Sequence, residues 1–223
     1  VDNFKPAALR AYYEKWYRPD LQGIIIIGDI DVKNMEEKVK KLFSAIPMPK
    51  NAARFEYFPV PDNDRPIFVV DKDKEITAPD VSIMIKHDPL PREMRSTSAA
   101  LGVDYVTTIV DQMFSNRFSE LSQNPDAHYN TLSAGDGEFI LASTKYAFTF
   151  STTPKDGKTK EATADLMREI IRVEKYGFTD VEYERAKKQF IGNLDQSREA
   201  RKKIKSGNLV NECVDNFLDN TAK

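Results

Sequence analysis

Eight of the chain's twelve prolines, at positions 47, 49, 59, 61, 66, 79, 89 and 91, crowd into one stretch and decide where helix cannot form. Proline has no N–H to donate, and its ring collides with the preceding helical turn. Residues 47–66 are therefore expected to form an extended, largely irregular connection. The segments on either side must carry the regular structure.

Before this stretch, Phe4, Leu9, Tyr12, Tyr13, Trp16 and Tyr17 recur at helical spacing, and the helix must end before Pro19. Such an aromatic stripe is what core packing requires. Next, Ile24–Ile27, bounded by Gly23 and Gly28, reads as a strand buried on both faces. Asp31 can cap a following helix whose inner face carries Val32, Met35, Val39, Leu42 and Phe43. The first 46 residues thus read helix–strand–helix.

After the prolines, strands are expected at Ile67–Asp71 and, with period-two alternation, at Val81–Ile85. A long helix is expected from Arg95 to about Ser115, with Ala99, Val103, Val106, Val110, Met113 and Phe114 as its stripe. A short helix follows at Arg117–Ser122. Tyr129–Ala134 and Glu138–Ser143 flank Gly135-Asp136-Gly137, which reads as a hairpin turn. Tyr146, Phe148 and Phe150 mark a further strand, closed by Pro154.

Thr159 can cap a helix that ends at Gly177, and Thr179-x-x-Glu182 is a capping box opening another. A short loop joins these two helices, so they are expected to pack as a pair on the sheet. The order gives an α+β fold: a two-layer sandwich of a mainly antiparallel sheet with helices on one face. Residues 1–196 are expected to form a single domain, with 197–223 as a charged helical extension rich in Arg198, Arg201, Lys202, Lys203 and Lys205.

Composition excludes several function classes. Thirty-three basic against 35 acidic residues leave a net charge of −2 and no global field to gather nucleic acid. No run approaches the roughly 18 apolar residues that span a bilayer. The chain opens VDNFKPAALR, with no initiator Met, and ends in what reads as mid-helix, so a piece of a longer protein is expected.

One cysteine, Cys213, allows no internal disulfide and no Cys-built zinc site. The two histidines, His87 and His128, fit neither His-Glu-x-x-His nor His-x-x-Glu-His, and each is expected to be solvated or hydrogen-bonded rather than a ligand. No Gly-x-Ser-x-Gly elbow and no glycine-rich phosphate loop occurs. The residues themselves therefore point to no catalytic constellation and no metal in this segment.

Several motifs together resemble a known family. Phe4, Tyr12-Tyr13, Tyr17-x-Pro19-Asp20, Gly23-Ile-Ile-Ile-Ile-Gly28-Asp29 and a helix ending Leu42-Phe43 form one block. Phe114-Ser115-Asn116-Arg117-Phe118 and Gly177-Phe178-Thr179-x2-Glu182-Tyr183-Glu184-Arg185-Ala186 form two more. These blocks resemble the insulinase-like zinc metallopeptidases of the pitrilysin and mitochondrial processing peptidase type, in particular their metal-free second domain.

The resemblance implies a non-metal-binding, substrate-chamber domain of a larger zinc-dependent metalloendopeptidase that hydrolyses peptides. It implies zinc bound by an upstream domain of the same protein or by a partner subunit, a peptide substrate, and no cofactor in this segment. It places Tyr129 at the family's substrate-steadying tyrosine. Ser122 stands where the family has an arginine, which raises the alternative of a degenerate, non-catalytic scaffold or peptide-binding subunit. Arg117 falls at a family position of structural character and is a weaker candidate for substrate contact. Relatives of this kind point to the periplasm or cell envelope, while a single cysteine suits the cytoplasm equally.

Overall fold

A computed structural model describes residues 3–219, which divide into two compact units: residues 3–57 with 203–219, and residues 58–202. Elements are numbered in chain order. The first unit holds α1 (Pro6–Trp16), α2 (Val32–Phe43) and α6 (Ser206–Asp219). The second holds strands β1 (Val81–His87), β2 (Tyr129–Phe139) and β3 (Ala142–Pro154), with helices α3 (Ser98–Ser122), α4 (Thr159–Tyr176) and α5 (Asp180–Ala200).

In the second unit the sheet order is β1-β3-β2, antiparallel throughout. The order α+β, with helices on one side of an antiparallel sheet, is as the sequence pattern requires. The register sets Ile83 beside Phe150 and Phe150 beside Ala134, so one row of side chains crosses all three strands towards the helices. Phe114 and Phe118 of α3, with Ala162 and Leu166 of α4, close over that face around Tyr129, Leu132 and Phe150. Phe114 meets Phe150 edge-on at 5.1 Å and Phe178 at 4.9 Å, the geometry that ring quadrupoles favour.

The other side of the sheet differs in chemistry. It carries Ser82, Thr131, Ser133, Thr149, Ser151 and Thr153, tied by Ser82–Ser151 and Thr131–Thr153 hydroxyl contacts of 2.8 and 3.0 Å. Near its β3 start, residues 58–62 lie over this face: Lys86 donates to the Pro61 carbonyl, and Lys145 pairs with Asp62 and Asp88 at 2.8 and 2.7 Å.

The caps at Asp31 and Thr179 form, the latter as a complete capping box, and Gly177 ends α4 with φ of 68°. Lys158 rather than Thr159 stands at the N-cap of α4, and its side chain makes no cap bond. Larger differences concern the strands. Ile24–Ile27 and Ile67–Asp71 enter no β-ladder among the described residues, although their composition is that of strands. Strand propensity states a fit to a pleated surface, and a ladder needs a neighbour to donate and accept; none lies beside them.

Gly135-Asp136-Gly137 is not a turn but runs within β2, opposite Thr149, Phe148 and Ala147. The reversal comes at Ile140-Leu141, with Ile140 held at φ of 58°. Ladder bonds belong to the backbone, so two glycines do not break a strand that β3 templates along its whole length. The expected short helix at 117–122 continues α3, which is unbroken from Ser98. The α3 stripe also shifts: Ala100, Ile109, Met113, Phe114 and Phe118 are buried, while Val103 and Val106 stay exposed. Nor do α4 and α5 form a pair on the sheet; α4 packs on β2 and β3, and α5 packs on α3 through Ala186, Ile109 and Met113.

Leu166 is fully buried at 0% exposure, whereas Leu141 is 92% exposed at the hairpin tip. Leu166→Ala is expected to cost about 2–5 kcal/mol in denaturant unfolding, and Leu141→Ala about 0.5 kcal/mol or less.

Candidate functional site

Arg117 and Tyr129 are set by the two ends of one segment, the last turns of α3 and the first residue of β2. The loop between them is forced by Pro125, which cannot continue the helix. Arg117 donates from Nε and Nη2 to both carboxylate oxygens of Glu182 at 2.7 and 2.8 Å. Its guanidinium lies 4.7 Å over the Phe178 ring. Glu182 also accepts from the Thr179 backbone N–H at 2.8 Å, so the residue that caps α5 is the one that holds α3.

Burial alone would raise the Glu182 pKa, but hydrogen bonds from the Thr179 backbone, Arg117 and the Thr179 hydroxyl outweigh it and leave the carboxyl below its usual range.

Tyr129 is 6% exposed and belongs to the core under α3 and α4. A register irregularity between Tyr129 and Thr131 lets it share the helix-facing side with Leu132. Burial raises its hydroxyl pKa, and the charges of Asp165 and Glu169 on α4 add to the effect. Next to it, His128 Nδ1 meets Asp165 Oδ2 at 2.8 Å, and Arg168 donates to the other Asp165 oxygen at 2.7 Å. Burial would raise the Asp165 pKa, but these two bonds win and lower it. Ser122 is half-buried as the last residue of α3. Arg117 therefore engages Glu182 of α5, while Tyr129 lies in the core with Ala162 and Leu166 of α4.

A second polar group crosses the sheet. His87 Nε2 lies 2.6 Å from Asp136 Oδ1, two strands away, and Nδ1 lies 3.1 Å from the Asp88 carbonyl. Burial lowers the His87 pKa, but the bonds and charges of Asp136 and Asp88 together raise it. Asp111 of α3 stands behind; burial raises its pKa, a backbone N–H bond from Asp136 opposes this, and the Asp136 charge adds to the rise.

Neither histidine is placed for metal. Zinc requires three or four converging nitrogen, sulfur or carboxylate donors. Among the described residues, no three His, Cys, Asp or Glu side chains converge in that way. The donors therefore do not fit a zinc centre, and no chemical step is assigned to one here. Sequence spacing missed Asp136 and Asp165, which lie 49 and 37 residues from the histidines they hold; no local signal links them.

An antiparallel sheet backed by helices on one side, with a hydroxyl-rich outer face, is the architecture of an α+β sandwich domain. The chain belongs to the peptidase M16 inactive domain family, whose model matches residues 3–190. Over 221 residues it is 24% identical to the probable zinc protease PqqL of Escherichia coli (strain K12), spanning 97% of this chain and 23% of that protein. The crystal structure of the periplasmic protease PqqL from Escherichia coli superposes with a TM-score of 0.79 at 22% identity, covering 99% of this chain and 24% of that one. The crystal structure of the first half of that protease gives 0.75 at 21% identity, covering 99% of this chain and 46% of that half. The chain thus spans less than a quarter of the curated relative it matches.

Arg117 and His87 provide the checks on the site. Arg117→Ala should cost about 1.5–3 kcal/mol, the worth of a charged hydrogen-bonded pair. Because the folded pKa of Glu182 is depressed, the stability it contributes is present above its unfolded pKa and lost as pH falls through the folded value. Arg117→Ala should therefore flatten the acid limb of an unfolding-versus-pH profile. His87 has the opposite sign. Its contribution is full below the ordinary histidine value of 6.5 and lost as pH rises through the raised folded pKa. His87→Gln should remove that alkaline loss, and an NMR titration of the ring should give a midpoint above 6.5.

Proposed function

We propose that this chain is the non-metal-binding, chamber-lining domain of a larger zinc-dependent metalloendopeptidase that hydrolyses peptides. The observation that carries the reading is the outer face of the sheet. Ser82, Thr131, Ser133, Thr149 and Ser151 line it with short hydroxyl side chains, with Gly135, Gly137 and the longer Met84 among them. Such a face presents mostly short hydroxyl donors and acceptors, which suits a wetted wall beside which an extended peptide passes. An interior layer would instead be apolar.

In this reading the zinc and its activating carboxylate belong to another domain of the parent or to a partner subunit, which completes the chamber. Tyr129 and Arg117 support the wall from behind: the first fills the core, and the second ties α3 to α5. Residence in the periplasm follows by analogy with the protease PqqL of Escherichia coli.

A second reading has its own observation. Ser122 occupies the position where the resemblance leads one to expect an arginine, and Tyr129 is buried. Both suit a non-catalytic scaffold or peptide-binding subunit. The full-length protein is expected to cleave an unstructured peptide and to lose that activity with a zinc chelator, while the 223-residue segment alone retains no stoichiometric zinc by elemental analysis. Absence of chelator-sensitive cleavage, with retained peptide binding, selects the scaffold reading instead.

A further inference from the structure

The first unit lacks a core. Among its described residues no apolar side chain is buried, and α1, α2 and α6 bury none. Ties within it reach far along the chain: Trp16 meets Phe55 edge-on at 5.8 Å, Arg18 donates to the Ala53 carbonyl at 2.5 Å, and Phe217 of α6 lies against Gly23. A Cβ at Gly23 would come within 3.1 Å of that ring, so the glycine is what lets α6 approach the start of the isoleucine run.

The run itself alternates. Ile25 and Ile27 are half-covered, whereas Ile24 and Ile26 are 51% and 44% exposed. Alternate side chains are thus half-covered, while those of Ile24 and Ile26 lie open, and the run enters no ladder among the described residues.

We infer that Ile24–Ile27 is a strand of a sheet completed by the rest of the parent polypeptide, and that this face of the first unit is the docking surface for it. Four consecutive β-branched residues suit a strand covered on both faces, which requires strands alongside and a layer on each side. A helix or a peptide in a groove would cover one face only. A second copy would supply a single four-residue strand, and a two-stranded ribbon is marginal in water. A parent longer than this segment would supply that chain, and the solved first half of the PqqL-type relative is about twice as long as the part this segment matches, which is 46% of it. The inference rests on the reading that this chain is one domain of a longer protein, but it is independent of zinc and of activity.

Amide hydrogen exchange across 24–27 tests it, in the full-length protein and in the isolated segment. Exchange is expected to be roughly 10³-fold slower in the full-length protein, as for strands opened only by sub-global unfolding. Equal, fast exchange in both overturns the inference. Protection that grows with concentration of the isolated segment overturns it in favour of self-association. Ile26→Lys in the full-length protein should abolish the protection and Ile26→Val should keep it; protection that survives Ile26→Lys also overturns it. Loss of peptidase activity with protection intact would count against the proposed function alone.

Discussion

The second unit depends on β3. This strand of thirteen residues pairs on both sides, with β1 from Val81 to His87 and with β2 from Tyr129 to Phe139. Because it is central, its alternation is imposed on both neighbours. Phe148 and Phe150 point towards the helices and draw Phe114 onto them, while Thr149 and Ser151 point away. A slip of one residue would exchange the aromatic and hydroxyl faces, so hydrophobic burial under α3 and α4 also sets the polarity of the outer surface. The core and the chemistry of the outer surface are therefore one decision.

Polar ties then fix what the sheet leaves free. The Arg117–Glu182 pair joins α3 to the N-terminus of α5, and the same carboxylate completes the helix cap. His128–Asp165 holds the start of β2 against α4, and His87–Asp136 spans from β1 to β2 across β3. Each histidine meets one carboxylate as its ion-pair partner. That is the arrangement of structural hydrogen bonding, and the two histidines lie on separate groups.

The two units differ in kind. Residues 58–202 close a hydrophobic core around Phe118 and Leu166, at 1% and 0% exposure. The first unit keeps Tyr12, Tyr13, Ile24 and Leu42 open to solvent. Burial of apolar area is the main favourable term in folding, and the first unit has little of it among its described residues.

The helices were legible in the sequence because their signals are local. Asp31, the Thr179–Glu182 box and Gly177 act within a turn of where they stand, and 3.6-residue spacing marks the apolar side of α4. Likewise, the motif blocks around Tyr12-Tyr13, Phe114–Phe118 and Gly177–Ala186 sufficed to identify the family. Tertiary structure alone decided which apolar runs become strands. Ile24–Ile27 and Ile67–Val70 have strand composition without a neighbour, while the glycine-bearing 135–137 is a strand because β3 lies beside it. It alone also matched His87 to Asp136 and His128 to Asp165 and placed Tyr129 in the core. A cap or a helical stripe is completed by residues a turn away, whereas a ladder or an ion pair is completed by residues far along the chain, and only the folded backbone brings those together.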